Sequence, residues 1–116
     1  MAIVKSELCM RDDAKTLATC EKSKWRVLSS FEDDIDESQY QSGCDIAIEL
    51  GNRLVQHLNQ PQNPMGLRQI IGGPSYTYGQ TSATATVYFE GNLTSSQSAC
   101  MRLSSRCEWM GDKPIV

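Results

Sequence analysis

Few side chains in this sequence could do chemistry at neutral pH. His57 is the one histidine, and Cys9, Cys20, Cys44, Cys100 and Cys107 are the thiols. A Ser–His–Asp or Cys–His nucleophilic site would have to use His57. It lies in "NRLVQHLNQP", where Pro61 ends a helical pattern. An imidazole there complements the negative end of the helix dipole, a structural reason for its presence. No cysteine stands at zinc-ligand spacing around it, and no pair is spaced C-x-x-C. "IIGGPSYTYGQ" is glycine-rich but matches no phosphate-binding loop. The sequence points to no catalytic set, no metal and no cofactor, and to no small-molecule substrate.

The second cluster is acidic. "EDDIDE" carries Glu32, Asp33, Asp34, Asp36 and Glu37. It fails the calcium-loop pattern, because a loop starting at Asp33 would put Ser38 at the glycine position and Cys44 at the closing glutamate. Asp33, Asp34, Asp36 and Glu37 instead read as a turn bearing a solvated acidic patch that a basic partner could meet.

Thiols and charge bound the setting. Five cysteines is an odd count, so at least one is free or pairs between chains. The start "MAIVKSELCMRDDAK" has no basic segment followed by an apolar one, which predicts a cytoplasmic chain with reduced, mostly buried thiols and no disulfide within the monomer. A net charge of −3 argues against nonspecific nucleic-acid or membrane binding. Tyr76, Tyr78 and Tyr88 would suit an RNA-stacking sheet only with basic residues interleaved, and those are missing.

The elements that must position these residues follow from periodicity. In "TSATATVYFEG", Ala83, Ala85, Val87 and Phe89 alternate with Ser82, Thr84, Thr86 and Tyr88, the pattern of a half-buried strand. "KWRVLSSF" alternates similarly over Lys24–Phe31, and shorter strands are expected at Ala2–Met10, Leu67–Ile71, Ser75–Gly79 and the tail "KPIV". Ser38–Asn59 is the strongest helix, with Cys44, Ala47, Ile48, Gly51, Leu54, Val55 and Leu58 on one stripe that Ile46 and Leu50 widen. A second helix is predicted from Cys100, Leu103, Cys107 and Met110, and a brief one over Asp12–Lys22. The sum is a single α+β domain over residues 1–116, with an antiparallel or mixed sheet and two helices on one face. Ala83, Ala85 and Gly51 would remove bulk where the long helix crosses the sheet.

From "KWRVLSSF" through "CDIAIELGNRLVQHLNQP" to "ATATVYFEG", the order strand, long helix, proline-ended loop, strand resembles that of small bacteriophage tail-terminator and neck proteins. The resemblance implies a non-enzymatic ring or sheet-edge contact in a virion, and transfers no individual residue. Residues 75 to 88 contain no Lys, Arg, Asp or Glu. An uncharged, hydroxyl-rich, β-prone segment suits strand addition or a polar interface, with Tyr76, Tyr78, Thr84, Thr86 and Tyr88 as contact residues. The expected function is assembly, by self-association into a homo-oligomer or by docking to other assembly proteins. The alternative is a small acidic inhibitor or immunity-type protein that blocks a basic target.

Overall fold

A computed structural model describes residues 1–11, 25–59, 69–92 and 98–116. Five strands form one antiparallel sheet: β1 (Ala2–Arg11), β2 (Arg26–Ile35), β3 (Gln69–Tyr78), β4 (Ser82–Asn92) and β5 (Ser98–Glu108), in the order β2-β1-β5-β4-β3. One helix, α1 (Gly43–Leu58), lies on one face, after a short 3₁₀ turn at Glu37–Gln39. The α+β character and the antiparallel sheet stand. The second helix does not, since Cys100–Met110 falls largely in β5.

The reason lies in the pairing. The 3-4-3 spacing of Cys100, Leu103, Cys107 and Met110 suggests a helix, but the operative period is two. Met101, Leu103, Ser105 and Cys107 are buried, while Arg102, Ser104, Arg106 and Glu108 face the other way. Here β5 is paired along its length with β4 on one side and with β1 on the other, through Leu8↔Leu103 and Val87↔Leu103. Two full ladders outweigh a weak local helix preference.

Helix α1 carries its stripe as predicted in outline. Ile46, Ala47, Leu50, Gly51, Leu54 and Leu58 are buried, whereas Ile48 is exposed. Ser42 is the N-cap and accepts from the Asp45 amide. The facing sheet contributes Val4, Met10, Ala83, Ala85, Val87, Phe89, Met101 and Leu103. Ala83 and Ala85 are core residues, but Gly51 lies elsewhere, against Tyr76 and Pro74 of β3. Helix α1 still packs chiefly on β4, the strand of the two alanines, as expected, and only Gly51 sits to the side, over the neighbouring β3.

Three further boundaries differ. "EDDI" continues β2 to Ile35 and is not a turn, because Glu32, Asp33 and Asp34 pair with Lys5, Val4 and Ile3. Gly72-Gly73-Pro74 does not split β3 but distorts it, with register shifts on either side of Gly72. Gly73 has φ +95°, and a Cβ there would meet the Thr86 carbonyl oxygen at 2.6 Å, so glycine fits this bulge. The "KPIV" tail forms no strand. Its Pro114 and Ile115 carbonyls accept from the Gly43 and Cys44 amides and satisfy the first turn of α1. The Asp12–Lys22 helix and Leu67–Arg68 lie outside the described residues.

Cys100 is disulfide-bonded, with a partner outside the described residues, and Cys9, Cys44 and Cys107 are free. The expectation of no disulfide is thereby corrected. An odd count shows that one thiol is left over but cannot show that all are.

Candidate interaction surface

Among the described residues, helix α1 covers one face of the sheet and leaves the other bare, and the alternation of each strand decides what that bare face displays. From β1 come Lys5 and Glu7, from β5 Arg102, Ser104 and Arg106, and from β4 Thr84, Thr86 and Tyr88. They line a shallow depression of about 430 Å³. Lys5 stands directly opposite Arg106 in the β1–β5 ladder. Like charges so placed repel; Glu32 lies across from Lys5, Glu108 is 2.8 Å from Arg106, and Glu7 shares the depression with both cations. The Thr84 hydroxyl is hydrogen-bonded to that of Thr77 on β3. At one corner, Arg102 lies 4.8 Å over the Trp25 ring, and Trp25 meets Tyr88 at 5.9 Å. Cys100 and Ile71 complete this apolar corner.

The five predicted contact residues are divided between the two faces. Thr84, Thr86 and Tyr88 share the bare face. Tyr76 and Tyr78 pair with Ala85 and Ala83, and so stand on the helix side, each 39% exposed. Tyr76 abuts Gly51, and Tyr78 reaches the Cys44 thiol, a hydrogen bond that raises the Tyr78 pKa. The tyrosines thus form no common stacking platform. The alternation within one strand could not reveal this, since Tyr76 and Tyr88 belong to different strands whose relative phase is set by their register. The sequence reading also missed Lys5, Arg102 and Arg106, which only the β1–β5–β4 adjacency brings together.

The acidic residues are similarly dispersed. Asp33 faces the helix side, 3.6 Å from Arg53. Asp34 is exposed on the edge strand. Asp36 caps the 3₁₀ turn, and the Ser38 hydroxyl and amide bonded to it hold its carboxyl below the usual range. Glu37 lies 3.6 Å from the terminal amine of Met1.

A second cleft, about 250 Å³, opens between α1 and the β1–β2 pair, with Val4, Ser6, Phe31, Asp33, Arg53 and His57 among its walls. It collects a histidine, an aspartate and two serines, but their bonds run elsewhere. Ser6 and Ser105 are hydrogen-bonded to each other at 2.7 Å, and both are buried. His57 stacks on Phe31 at 5.5 Å, and Asp33 pairs with Arg53. Arg53 also donates to the Asp34 carbonyl at 2.9 Å and approaches Glu49 at 3.4 Å. A nucleophilic triad needs the imidazole bonded to both hydroxyl and carboxylate, and among the described residues no such bonds join these groups.

Among the described residues, no three His, Cys, Asp or Glu side chains converge as a metal site, and no helix is long and apolar enough to cross a membrane. Comparison with protein-family models, with curated proteins and with solved structures finds no match to this chain.

Proposed function

We propose that this chain is a non-enzymatic interaction module whose uncovered sheet face docks an acidic segment of a partner protein. The observation that carries the reading is the in-register opposition of Lys5 and Arg106, with Arg102 nearby, on a face ringed by Thr84, Thr86 and Ser104. Cations placed against one another cost folding stability, and a carboxylate seated between them offsets that cost. The hydroxyls provide hydrogen bonds around it, and the Trp25–Tyr88 corner offers an aromatic anchor of the kind interfaces favour. The likeness in element order to small phage tail-terminator and neck proteins extends this reading to assembly of a virion ring.

The test is backbone amide NMR with a short peptide of alternating Glu and Ser. The reading expects saturable shifts at Thr84, Thr86, Ser104 and Arg106, weakened by salt and abolished by Arg106→Glu with Thr86→Glu. Shifts confined to other surfaces, or none at millimolar peptide, would refute it.

A further inference from the structure

We infer that two copies of this chain join through β2, edge to edge and antiparallel, into one sheet that doubles the five strands of each. The inference rests on the reading of the chain as an interaction module, and names a second copy as one partner and β2 as the contact.

The sheet has two edges, β2 and β3. Strand β3 is blunted in the ways natural edges are: Pro74 lacks an N–H, Gly73 is at positive φ, and the register shifts twice. Strand β2 spans ten residues with neither Pro nor Gly. All of Arg26–Asp34 is exposed, including Val27 at 53%, Leu28 at 43% and Phe31 at 39%. Three large apolar side chains on an open strand edge are a template for pairing.

Charge selects the geometry. Strand β2 begins with Arg26 and ends with Glu32, Asp33 and Asp34. A parallel pairing sets these acids beside their own copies, which repels. An antiparallel pairing centred on Ser30 does the reverse. It sets Ser29 opposite Phe31 of the second copy and brings Arg26 of each strand alongside the other's acidic end. Moving the centre to Glu32 would return acid against acid. Centring on Ser30 also makes the two Phe31 rings diagonal neighbours, within aromatic reach. Phe31 already stacks on His57, so the contact would extend from ring to ring across the twofold axis. The β-bulge at Leu28, where Leu8 pairs with Ser29 and Cys9 with Val27, turns Arg26 to the helix side, the side of Asp33.

Sedimentation equilibrium and native mass measurement test this with two opposite variants, each confirmed folded by circular dichroism. Asp33→Lys with Asp34→Lys makes both ends of β2 basic, and Arg26→Glu makes both ends acidic. The wild-type chain is expected as a dimer. Each variant alone should dissociate more than about tenfold more readily, and an equimolar mixture should form the heterodimer. If the double variant fails to fold, Asp34→Lys alone takes its place, with the same outcomes. A wild-type chain still monomeric at about 100 μM, where even a micromolar contact is filled, would overturn the inference. So would a variant that dimerises unchanged, or a mixture that stays monomeric. Acidic-peptide shifts on the bare face in a chain that never dimerises would refute the β2 contact alone. Loss of both would refute the interaction reading as well.

Discussion

Gly51 of α1 packs directly on the Tyr76 ring of β3: a Cβ at residue 51 would lie 2.6 Å from Tyr76 Cε1 and 3.0 Å from its Oη. Pro74 Cβ would be 3.1 Å away. The helix approaches this edge so closely only because the position has no side chain. Gly51→Ala gains about 1 kcal/mol of helix propensity but must displace the ring, for an expected net loss of about 1–2 kcal/mol. In a Tyr76→Ala background the sign should reverse, to a gain of up to about 1 kcal/mol. Urea denaturation of the four chains decides it, and an equal loss in both backgrounds would show that Tyr76 is not the obstacle.

The Ser6–Ser105 pair makes a second energetic cycle. Each hydroxyl is buried and each has the other as its partner at 2.7 Å. Ser6→Ala or Ser105→Ala strands the remaining hydroxyl and should cost about 1–2 kcal/mol. The double replacement removes both polar groups, so it should cost clearly less than the sum. Thermal melts of the three variants measure that coupling, and simple additivity would mean that the pair is already hydrated.

Tyr40 gives a prediction for alkaline pH. Its hydroxyl donates to Glu49 at 3.0 Å, and desolvation, followed by that bond and the Glu49 charge, raises its pKa above 10.0. A group whose protonated form is favoured in the folded state binds more protons there than in the unfolded chain. Its contribution is therefore present below pH 10 and lost as pH rises through the folded value. Tyr40→Phe should flatten this part of the stability–pH profile. An unchanged alkaline slope would show that another group controls it.

The disulfide at Cys100 separates it from the other described thiols. Labelling of the denatured, unreduced chain should find Cys9, Cys44 and Cys107 reactive and Cys100 unreactive. Reduction should cost about 2–4 kcal/mol in stability. Five labelled thiols without reductant would disprove the bond.

What the sequence revealed follows from how local each signal is. Helix α1 and strand β4 are legible because an amphipathic period is visible within one segment, as in Leu50, Leu54 and Leu58 or in Ala83, Ala85, Val87 and Phe89. Strand β5 is not, because Cys100, Leu103 and Cys107 fit a helical period by chance, and the ladders that decide the matter come from residues far away in the chain. The end of β2 is hidden for a different reason. Glu32, Asp33 and Asp34 have poor strand propensity, and Lys5 and Arg53, which accommodate two of them, lie in other elements. The bare-face cluster has no sequence signature, since Lys5 and Arg106 become neighbours only through the register of the first strand with the last.

That register also governs how the molecule is made. Among the described residues, the two halves of the sheet, β2-β1 and β4-β3, are joined by β5, which follows all four of these strands in the chain. Ser6 waits for Ser105, ninety-nine residues later. Until then the nascent chain holds two separate hairpin-like pieces, each with an inner strand whose hydrogen-bonding groups have no permanent neighbour. Closing the fold is a single late insertion across the longest sequence separations in the molecule, the kind of step that is slow and exposes open strand edges. A ribosome-stalled chain ending before β5 should be protease-sensitive throughout, and production of the protein should depend on whatever shields β1 and β4 from other chains during that interval.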